Sequence, residues 1–438
     1  MRSLSKVCRD LKSFLPLREL ARLLLPNQAC FLVGGAVRDM FLGRPCSDFD
    51  FTTPFDPTPL ARAFARNLSA SWFFLDQKRR QSRVVLRCGD NDVCCDFSPF
   101  RATSLTADLL LRDFRINAMA LRVYADTSPA DFFDPLSGLC DLRRRHLSIC
   151  SGTVLQQDPL RILKGLRHCK VLHLTPGNDT LQKMREAAPE LPGVAAERVK
   201  RELGLLLDDE AVTAALESLL DSGAAASVFK FSRGQVVAAE ALRNIQRYQE
   251  RLLDVAEGNY GEFVRCAMRY KFEECFSRQA ALNLTVILKG VPSKVARNVM
   301  VALKLARNTT RALNGYLDLG EGCLREAKRL TSGSRGRMWW VSGLGPDPVG
   351  GLIFLACSEW CPRSADVQRV LDLALDFASG GPPEDFLDGR WICSNLALKP
   401  GPLVGNAIQA VRREEMAGRV LTAEQARQFL LGRYQKTH

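Results

Sequence analysis

Hydrophobic positions follow two patterns along this chain. Through about residue 150 they fall in short runs closed by Gly, Pro, Asn or Asp, the signature of strands mixed with short helices. Strands are predicted at Phe31–Val33, Asp48–Thr52, Trp72–Leu75, Val84–Arg87 and Val93–Phe97. From about residue 155 onward β-branched runs are few and apolar residues recur at helical spacing, which predicts an all-helical arm. Gly343–Gly351, with Pro346 and Pro348, and Ser379–Pro383 read as loops between helical parts. Thr422 and Gln425 form a capping-box pattern that opens a late helix. Residues 4–25 are basic and amphipathic, with Leu4, Val7, Leu11, Leu15, Leu20 and Leu24 on one side. A mitochondrial leader has this look, but Asp10, Glu19 and the direct run into the first strand favour an ordinary N-terminal helix. The expected fold class is α+β, with no internal repeat.

The densest chemistry follows the first strand. Cys30-Phe31-Leu32-Val33 runs into Gly34-Gly35-Ala36-Val37-Arg38-Asp39, and a helix is predicted from Ala36 to Leu42, stopped by Gly43. Two glycines at a strand-to-helix turn let backbone approach an anionic group, and the helix N-terminus adds free N–H donors and partial positive charge. On the next strand Asp48 and Asp50 point to one face while Phe49 points to the core. Two such carboxylates repel each other and gain most from a divalent cation. Alone, each half is commonly a plain turn or a solvated edge. Within one strand–helix–strand unit they make a phosphate cradle beside a metal-binding pair, which is what nucleotidyl transfer requires.

Composition narrows the partner. The net charge is +13 over 438 residues, a balance suited to a polyanion. Between Glu274 and Asp318 there is no acidic residue, while Arg278, Lys289, Lys294, Arg297, Lys304, Arg307 and Arg311 occur. A solvated helix face is the ordinary meaning of such charge, and a track for an RNA backbone is the functional one. The 15 cysteines are scattered and odd in number, which suits reduced thiols in the cytoplasm. Cys94-Cys95 and Cys357 with Cys361 lack histidines in a ligand pattern, so structural zinc is not expected. With His146, His168, His173 and His438 as its four histidines, the chain is not expected to use histidine catalysis. No apolar run reaches the ~18 residues of a membrane helix.

The spacing of Gly34-Gly35-Ala36-Val37-Arg38-Asp39, Leu42-Gly43 and Asp48-Phe49-Asp50 resembles the signature of class II tRNA nucleotidyltransferases (CCA-adding enzymes) and bacterial poly(A) polymerases, within the polymerase-β-like superfamily. The resemblance continues in order. Asp108-Leu109-Leu110-Leu111-Arg112-Asp113-Phe114-Arg115-Ile116-Asn117-Ala118-Met119-Ala120 is similar to the family's Asp-Leu-x-Arg-Arg-Asp-Phe-Thr-Ile-Asn-Ala-Met-Ala. Asp134-Pro135 with Gly138 and Asp141-Leu142, then Asp158-Pro159-Leu160-Arg161 through Arg167, then Glu197-Arg198-Val199 with Glu202-Leu203, follow the family pattern. Leu398-Lys399-Pro400-Gly401-Pro402 resembles the tail of the tRNA enzymes.

The resemblance implies a polymerase-β-like catalytic head over 1–150, a helical neck over 151–220 that reads the base, an RNA-binding body over 221–380 and a tRNA-binding tail over 381–438. It implies attack of an RNA 3′-hydroxyl on the α-phosphate of CTP or ATP, with release of pyrophosphate and no nucleic-acid template. Asp48 and Asp50 would bind two Mg²⁺ ions, with Asp96 as a third catalytic carboxylate or else a strand-end surface residue. Gly34, Gly35 and Arg38 would hold the triphosphate, Arg38 having the alternative of an ion pair with Asp39 or Asp113. Arg112 would contact the nucleotide, and Asp113 and Asn117 would organise the sugar site. Asp158, expected as N-cap of a helix with Pro159 at its first position, would share a helical face with Arg161 and read cytosine or adenine, at roughly 1–3 kcal/mol per bidentate contact. Lys164 and Arg167 complete the nucleotide-binding set. Three departures bear on this: Leu111 and Lys164 replace arginines, and Gln157 replaces a glutamate. The short connection Ser98–Leu105 resembles partial enzymes that add only C-C, and poly(A) polymerases. Adding A only, or binding RNA without catalysis, are the remaining alternatives. No membrane and no stable protein partner are expected.

Overall fold

Strand alternation places a carboxylate-bearing face before any tertiary detail is considered. In the computed structural model, which describes residues 1–88, 91–124, 128–209, 211–329 and 334–434, the chain divides into two units. One is Met1–Val194 with Asp221–Ser227, and the other is Ala195–Leu220 with Val228–His438.

The first unit is built on a seven-stranded mixed sheet. Helices α1 (Leu4–Ser13) and α2 (Leu15–Leu23) precede β1 (Phe31–Val33), and α3 (Gly35–Leu42) leads to β2 (Asp48–Thr53). The N-terminal residues are thus ordinary helix, anchored where Phe14 stacks on Phe49 of β2 at 4.9 Å. Then come α4 (Thr58–Asn67), β3 (Ser71–Asp76), β4 (Gln81–Cys88), β5 (Asn91–Pro99), α5 (Leu105–Leu110), β6 (Ala120–Arg122), β7 (Phe132–Phe133) and α6 (Gly138–Arg144). The sheet order is β3-β4-β5-β2-β1-β6-β7, and β2 and β5 run parallel while the other neighbours are antiparallel. All five predicted strands are present. Phe51, Phe97 and Phe64 fill the space between sheet and α4, the first two stacked at 5.0 Å. This burial leaves the alternate residues Asp48, Asp50 and Asp96 on the opposite face. The helices α7 (Val154–Gln157), α8 (Arg161–Leu172) and α9 (Asn178–Ala187) complete the unit.

The second unit is helical apart from one short two-stranded ribbon, Lys271–Glu273 with Phe276–Ser277. Its centre is the apolar helix Arg278–Leu288, nearly every residue of which is buried. Arg278 enters that core paired with Asp347, its Nε and Nη2 donating at 2.7 Å each, and the Tyr316 hydroxyl donates to the same carboxylate. A buried charge is tolerable only when paired and hydrogen-bonded in this way.

Two loop expectations need correction here. Residues 343–347 are loop, but Pro348–Ala356 is a helix, opened by Pro348 in its first turn. Gly350 sits inside it because Tyr316 and Asp347 leave no room: a Cβ there would lie 2.3 Å from each. Likewise the helix Ser364–Gly380 runs through Ser379 before Gly381 ends it. Thr422 does accept from the Gln425 amide, at 3.2 Å, ahead of the helix Ala423–Tyr434. Among the described residues, no helix is long and apolar enough to cross a membrane.

Candidate active site

Gly34 is the pivot of the site. It has φ +78° and ψ −144°, a region open essentially to glycine alone, and caps α3. A Cβ on Gly34 would lie 2.9 Å from Asp50 Oδ2 and 3.3 Å from Arg112 Nη1. Backbone, carboxylate and guanidinium therefore meet at one point, beside the free N–H groups that begin α3. Val33 pairs with Asp50 across the β1–β2 ladder, so the end of one strand delivers the turn directly to the acid on the next. Gly43 closes α3 in the left-handed conformation, as its glycine identity predicts.

Asp48 and Asp50 are exposed on β2, and Asp96 is the register partner of Asp50 on β5. Loss of solvation raises the Asp50 pKa, Arg112 opposes the rise, and Asp96 and Asp48 add to it. Three carboxylates on one sheet face offer the hard oxygen donors that Mg²⁺ takes, and the crowding at Asp50 is charge that a divalent cation would relieve. The residues fit such an ion. They do not close as a cage on their own: among the described residues no three acidic, histidine or cysteine groups converge as metal ligands. Arg83 of β4 holds both oxygens of Asp96, at 2.7 and 2.8 Å.

Arg112 is prepared for an anion. Its guanidinium is largely buried, its Nε has no hydrogen-bond partner, and Asp108 lies 3.7 Å from Nη2. Burial lowers its pKa, with Asp108 and Asp50 among the charges that resist. Asp108 is itself fixed by the Arg101 backbone and side chain, at 2.9 and 3.2 Å.

Behind this face runs a buried polar network. Arg38 pairs with Asp39 through two bonds of 2.9 Å and donates to Asn117 Oδ1 at 2.7 Å. Because Arg38 can only donate, the Asn117 oxygen must face it, and its amide nitrogen reaches Asp113 at 3.0 Å and His168 Nε2 at 3.4 Å. His168 therefore accepts at Nε2. Burial, followed by the nearby cations Arg38 and Arg167, holds its pKa well below the usual value, so the ring is neutral. Lys164 Nζ donates to Asp113 at 2.5 Å. Burial works to raise the Asp113 pKa, but Lys164 and then Asn117 outweigh it and hold the carboxyl below its usual range.

The segment around Asp158 and Arg161 departs from its expected local structure. Asp158 is extended, with φ −148°, and closes α7 rather than capping α8. Pro159 and Leu160 form a turn in which the Asp158 carbonyl accepts from the Arg161 amide, and α8 begins at Arg161. Asp158 and Arg161 are thus linked through the backbone by a tight turn and do not share a helix. Arg161 is steadied by a 3.2 Å bond to the Val154 carbonyl. Gln157 is exposed, and Leu111 ends α5 on the surface. Arg167 lies on α8, half-buried.

Of the proposed RNA track, Lys294, Arg297, Lys304, Arg307 and Arg311 are exposed on or between the helices Ser293–Ala302 and Arg307–Asp318, with Lys304 paired to Glu197 at 2.9 Å. Lys289 is placed differently. Its ammonium lies 3.7 Å from the Trp360 ring centre and 4.7 Å from that of Phe354, and it donates to the Leu319 carbonyl at 3.1 Å. Burial lowers its pKa to about 8.

Sequence reasoning missed Arg83, Asp108 and His168. Arg83 was legible in principle. β4 and β5 are consecutive, antiparallel strands, and the pairing Cys88↔Asn91 carries through to Arg83↔Asp96. His168 and Asp108 had no signal beyond their place inside the motif segments.

Known proteins resemble this chain in sequence and in fold. Residues 30–148 match the poly(A) polymerase head domain, and residues 173–233 match the family described as the probable RNA and SrmB-binding site of polymerase A. A CC-adding tRNA nucleotidyltransferase of Geobacter sulfurreducens is 30% identical, the match covering 91% of this chain and 91% of that protein. An A-adding tRNA nucleotidyltransferase of Deinococcus radiodurans is 29% identical over 91% of this chain and 94% of its own length. Among solved structures, an unliganded CCA-adding enzyme superposes with a TM-score of 0.73 at 18% identity, covering 98% of this chain and 97% of the other. Together with the seven-stranded head and its carboxylate face, these relatives show that the chain belongs to the class II family of CCA-adding enzymes and bacterial poly(A) polymerases and is a nucleotidyltransferase.

Proposed function

We propose that this protein adds C, A or both to the 3′ end of tRNA from CTP and ATP, without a nucleic-acid template. The observation that carries the reading is the meeting of the Gly34 turn, Asp50 and Arg112, with Asp48 and Asp96 on the same sheet face. The α3 N-terminus and Arg112 hold the triphosphate, and the Arg38–Asn117–Asp113 network fixes the wall of the sugar site. Asp48 and Asp50 hold Mg²⁺, with Asp96 as the third carboxylate; bound there, two such ions supply activation of the attacking hydroxyl and neutralisation of the leaving pyrophosphate. Asp158 and Arg161 read the base, the carboxylate accepting from the exocyclic amine of cytosine or adenine and the guanidinium donating beside it. Lys294, Arg297, Lys304, Arg307 and Arg311 follow the RNA backbone. The division into head, neck, body and tail at 150, 220 and 380 is part of the same proposal.

A narrower reading, addition of C-C alone, is favoured by the short connection from β5 to α5, residues 100–104, and by the CC-adding activity of the relative at 30% identity. The deciding assay incubates the protein with Mg²⁺, each labelled nucleotide, and tRNA ending before C-C-A, tRNA ending at C-C, or an unrelated RNA. Incorporation of C but not A supports the narrower reading, and A added only after C-C reverses it. Long adenylate tails on unrelated RNA would make the protein a poly(A) polymerase. No incorporation in any combination refutes the enzyme reading. Asp48→Ala should abolish incorporation while leaving the unfolding temperature unchanged.

A further inference from the structure

The strand order β4-β5-β2 sets Arg83, Asp96 and Asp50 in one row across the sheet, each the lateral partner of the next. Laterally paired residues point to the same face, so Arg83 belongs to the carboxylate face and not to the apolar side beneath it. Its fork takes both Asp96 oxygens, Nε to Oδ1 at 2.7 Å and Nη2 to Oδ2 at 2.8 Å. Both side chains are only partly exposed, at 35% and 26%. A bidentate guanidinium–carboxylate pair is among the stronger charge-assisted contacts, and it engages one lone pair on each Asp96 oxygen, so a cation arriving there must share the carboxylate with the guanidinium or displace it. The same pairing supplies a positive charge where Asp48, Asp50 and Asp96 would otherwise face one another.

We propose that Arg83 is a positioning residue that competes with a divalent cation for Asp96, so that the fork loosens as metal binds and Arg83 sets the metal affinity of the site. The proposal rests on the reading of Asp48, Asp50 and Asp96 as the metal-holding carboxylates, and it goes beyond that reading in naming a residue that competes with the metal. It predicts tighter binding when the competitor is removed, whereas a strand tie predicts only lower stability.

The test titrates Mn²⁺ into the full-length, nucleotide-free protein and reads free Mn²⁺ by electron paramagnetic resonance. Arg83→Gln should bind Mn²⁺ about tenfold more tightly than the wild type, as expected for freeing one charge-assisted pair. Adding Asp96→Asn to Arg83→Gln should erase that gain. Arg83→Lys keeps the charge but loses the fork, should fall between, and carries the comparison if Arg83→Gln melts early. The proposal is overturned if a folded Arg83→Gln or Arg83→Lys protein binds Mn²⁺ no more tightly than the wild type, or if the gain persists without the Asp96 carboxylate. If Asp48→Asn and Asp50→Asn leave Mn²⁺ binding at the wild-type level, the carboxylate reading itself has failed, and Arg83 falls with it.

Discussion

Gly34 and Gly43 stand at the two ends of one helix, and replacing each by alanine separates backbone strain from damage to the site. Both have positive φ, +78° and +72°. At Gly43 the conformation is ordinary left-handed α, and the added methyl would meet only Arg2 Nε, at 3.0 Å, the end of a side chain that can move. Gly43→Ala should therefore cost roughly 1–2 kcal/mol of stability and leave kcat/KM unchanged. At Gly34 the backbone strain is similar or greater, about 1–3 kcal/mol, but the methyl lands 2.9 Å from Asp50 Oδ2 and 3.3 Å from Arg112 Nη1. Arg112 cannot retreat freely because it is largely buried against Asp108, and Asp50 can turn aside only by moving its carboxylate within the face it shares with Asp48 and Asp96. Displacing both groups by a few tenths of an ångström should lower kcat/KM roughly 10- to 100-fold, given that a misplacement of about 1 Å can cost 10²-fold. Domains of ordinary stability, about 5–15 kcal/mol, stay folded through either loss. Unfolding in denaturant measures the strain. Single-turnover incorporation of labelled CTP into tRNA lacking its terminal nucleotides, at equal folded concentration, measures the site. If Gly34→Ala keeps kcat/KM within about threefold of Gly43→Ala, the loss is generic strain and the meeting of turn, Asp50 and Arg112 has no catalytic meaning.

Lys164→Met removes the partner of a nearly buried carboxylate and should destabilise the protein by about 2–3 kcal/mol, below the usual 3–5 because Lys164 is partly exposed. Since the Asp113 pKa is depressed in the folded state, the pair's contribution is present above the unfolded carboxylate pKa, about 4, and is lost as the pH falls through the lower folded value. The stability gap between wild type and Lys164→Met, measured by denaturant unfolding, should therefore be full at pH 7 and shrink below pH 4; a gap that does not change with pH refutes the pairing. Lys289 has the opposite sense. Its folded pKa lies near 8, below that of the unfolded chain, so the buried ammonium burdens the fold at neutral pH and the burden lifts as the pH rises from about 8 to about 10.4. Lys289→Met should be more stable than wild type at pH 7 with the difference closing by about pH 10.5, and its affinity for tRNA should change less than that of Arg307→Glu; the reverse ranking in a filter-binding assay would return Lys289 to the RNA surface.

Much of the head was legible because strand alternation and glycine stereochemistry are local. Phe31–Val33, Gly43 as helix stop, and Asp48 with Asp50 on one face all follow from neighbours within a few residues. The Asp158 turn was misread for an equally local reason. Pro159 is compatible with the first helical turn and with a tight turn alike, and the choice falls to packing: Leu160 is buried, and the guanidinium of Arg161 is drawn back to Val154. Gly350 and Gly351 were read as loop because glycine is costly inside a helix, yet Tyr316 and Asp347 leave space for nothing larger at position 350. Tyr316 lies 34 positions before Gly350, and a contact over that separation leaves no mark in periodicity. The same holds for Lys289, whose charge was visible in the sequence while Trp360 and Phe354 above it were not.

The network behind the catalytic face explains why its motifs come as an ordered set and why they leave the choice of base open. Arg38 and Lys164 can only donate, Asp113 only accepts, and Asn117 does both in an orientation that Arg38 fixes. Each member therefore has one workable arrangement, and the loss of any one strands a buried polar partner at a cost of about 1–3 kcal/mol or more. A lysine at position 164 suffices for that duty, since one ammonium reaching one Asp113 oxygen needs no planar fork. Lys164 uses one of its three donors on Asp113 and has no planar fork to present to a base. Base selection in the proposed reaction then falls to Asp158 and Arg161, which a separate turn joins. A carboxylate and a guanidinium so placed suit the amine-plus-acceptor edge common to cytosine and adenine. They offer no feature that separates the two, so discrimination between C and A must come from what limits the depth or tilt of the bound base.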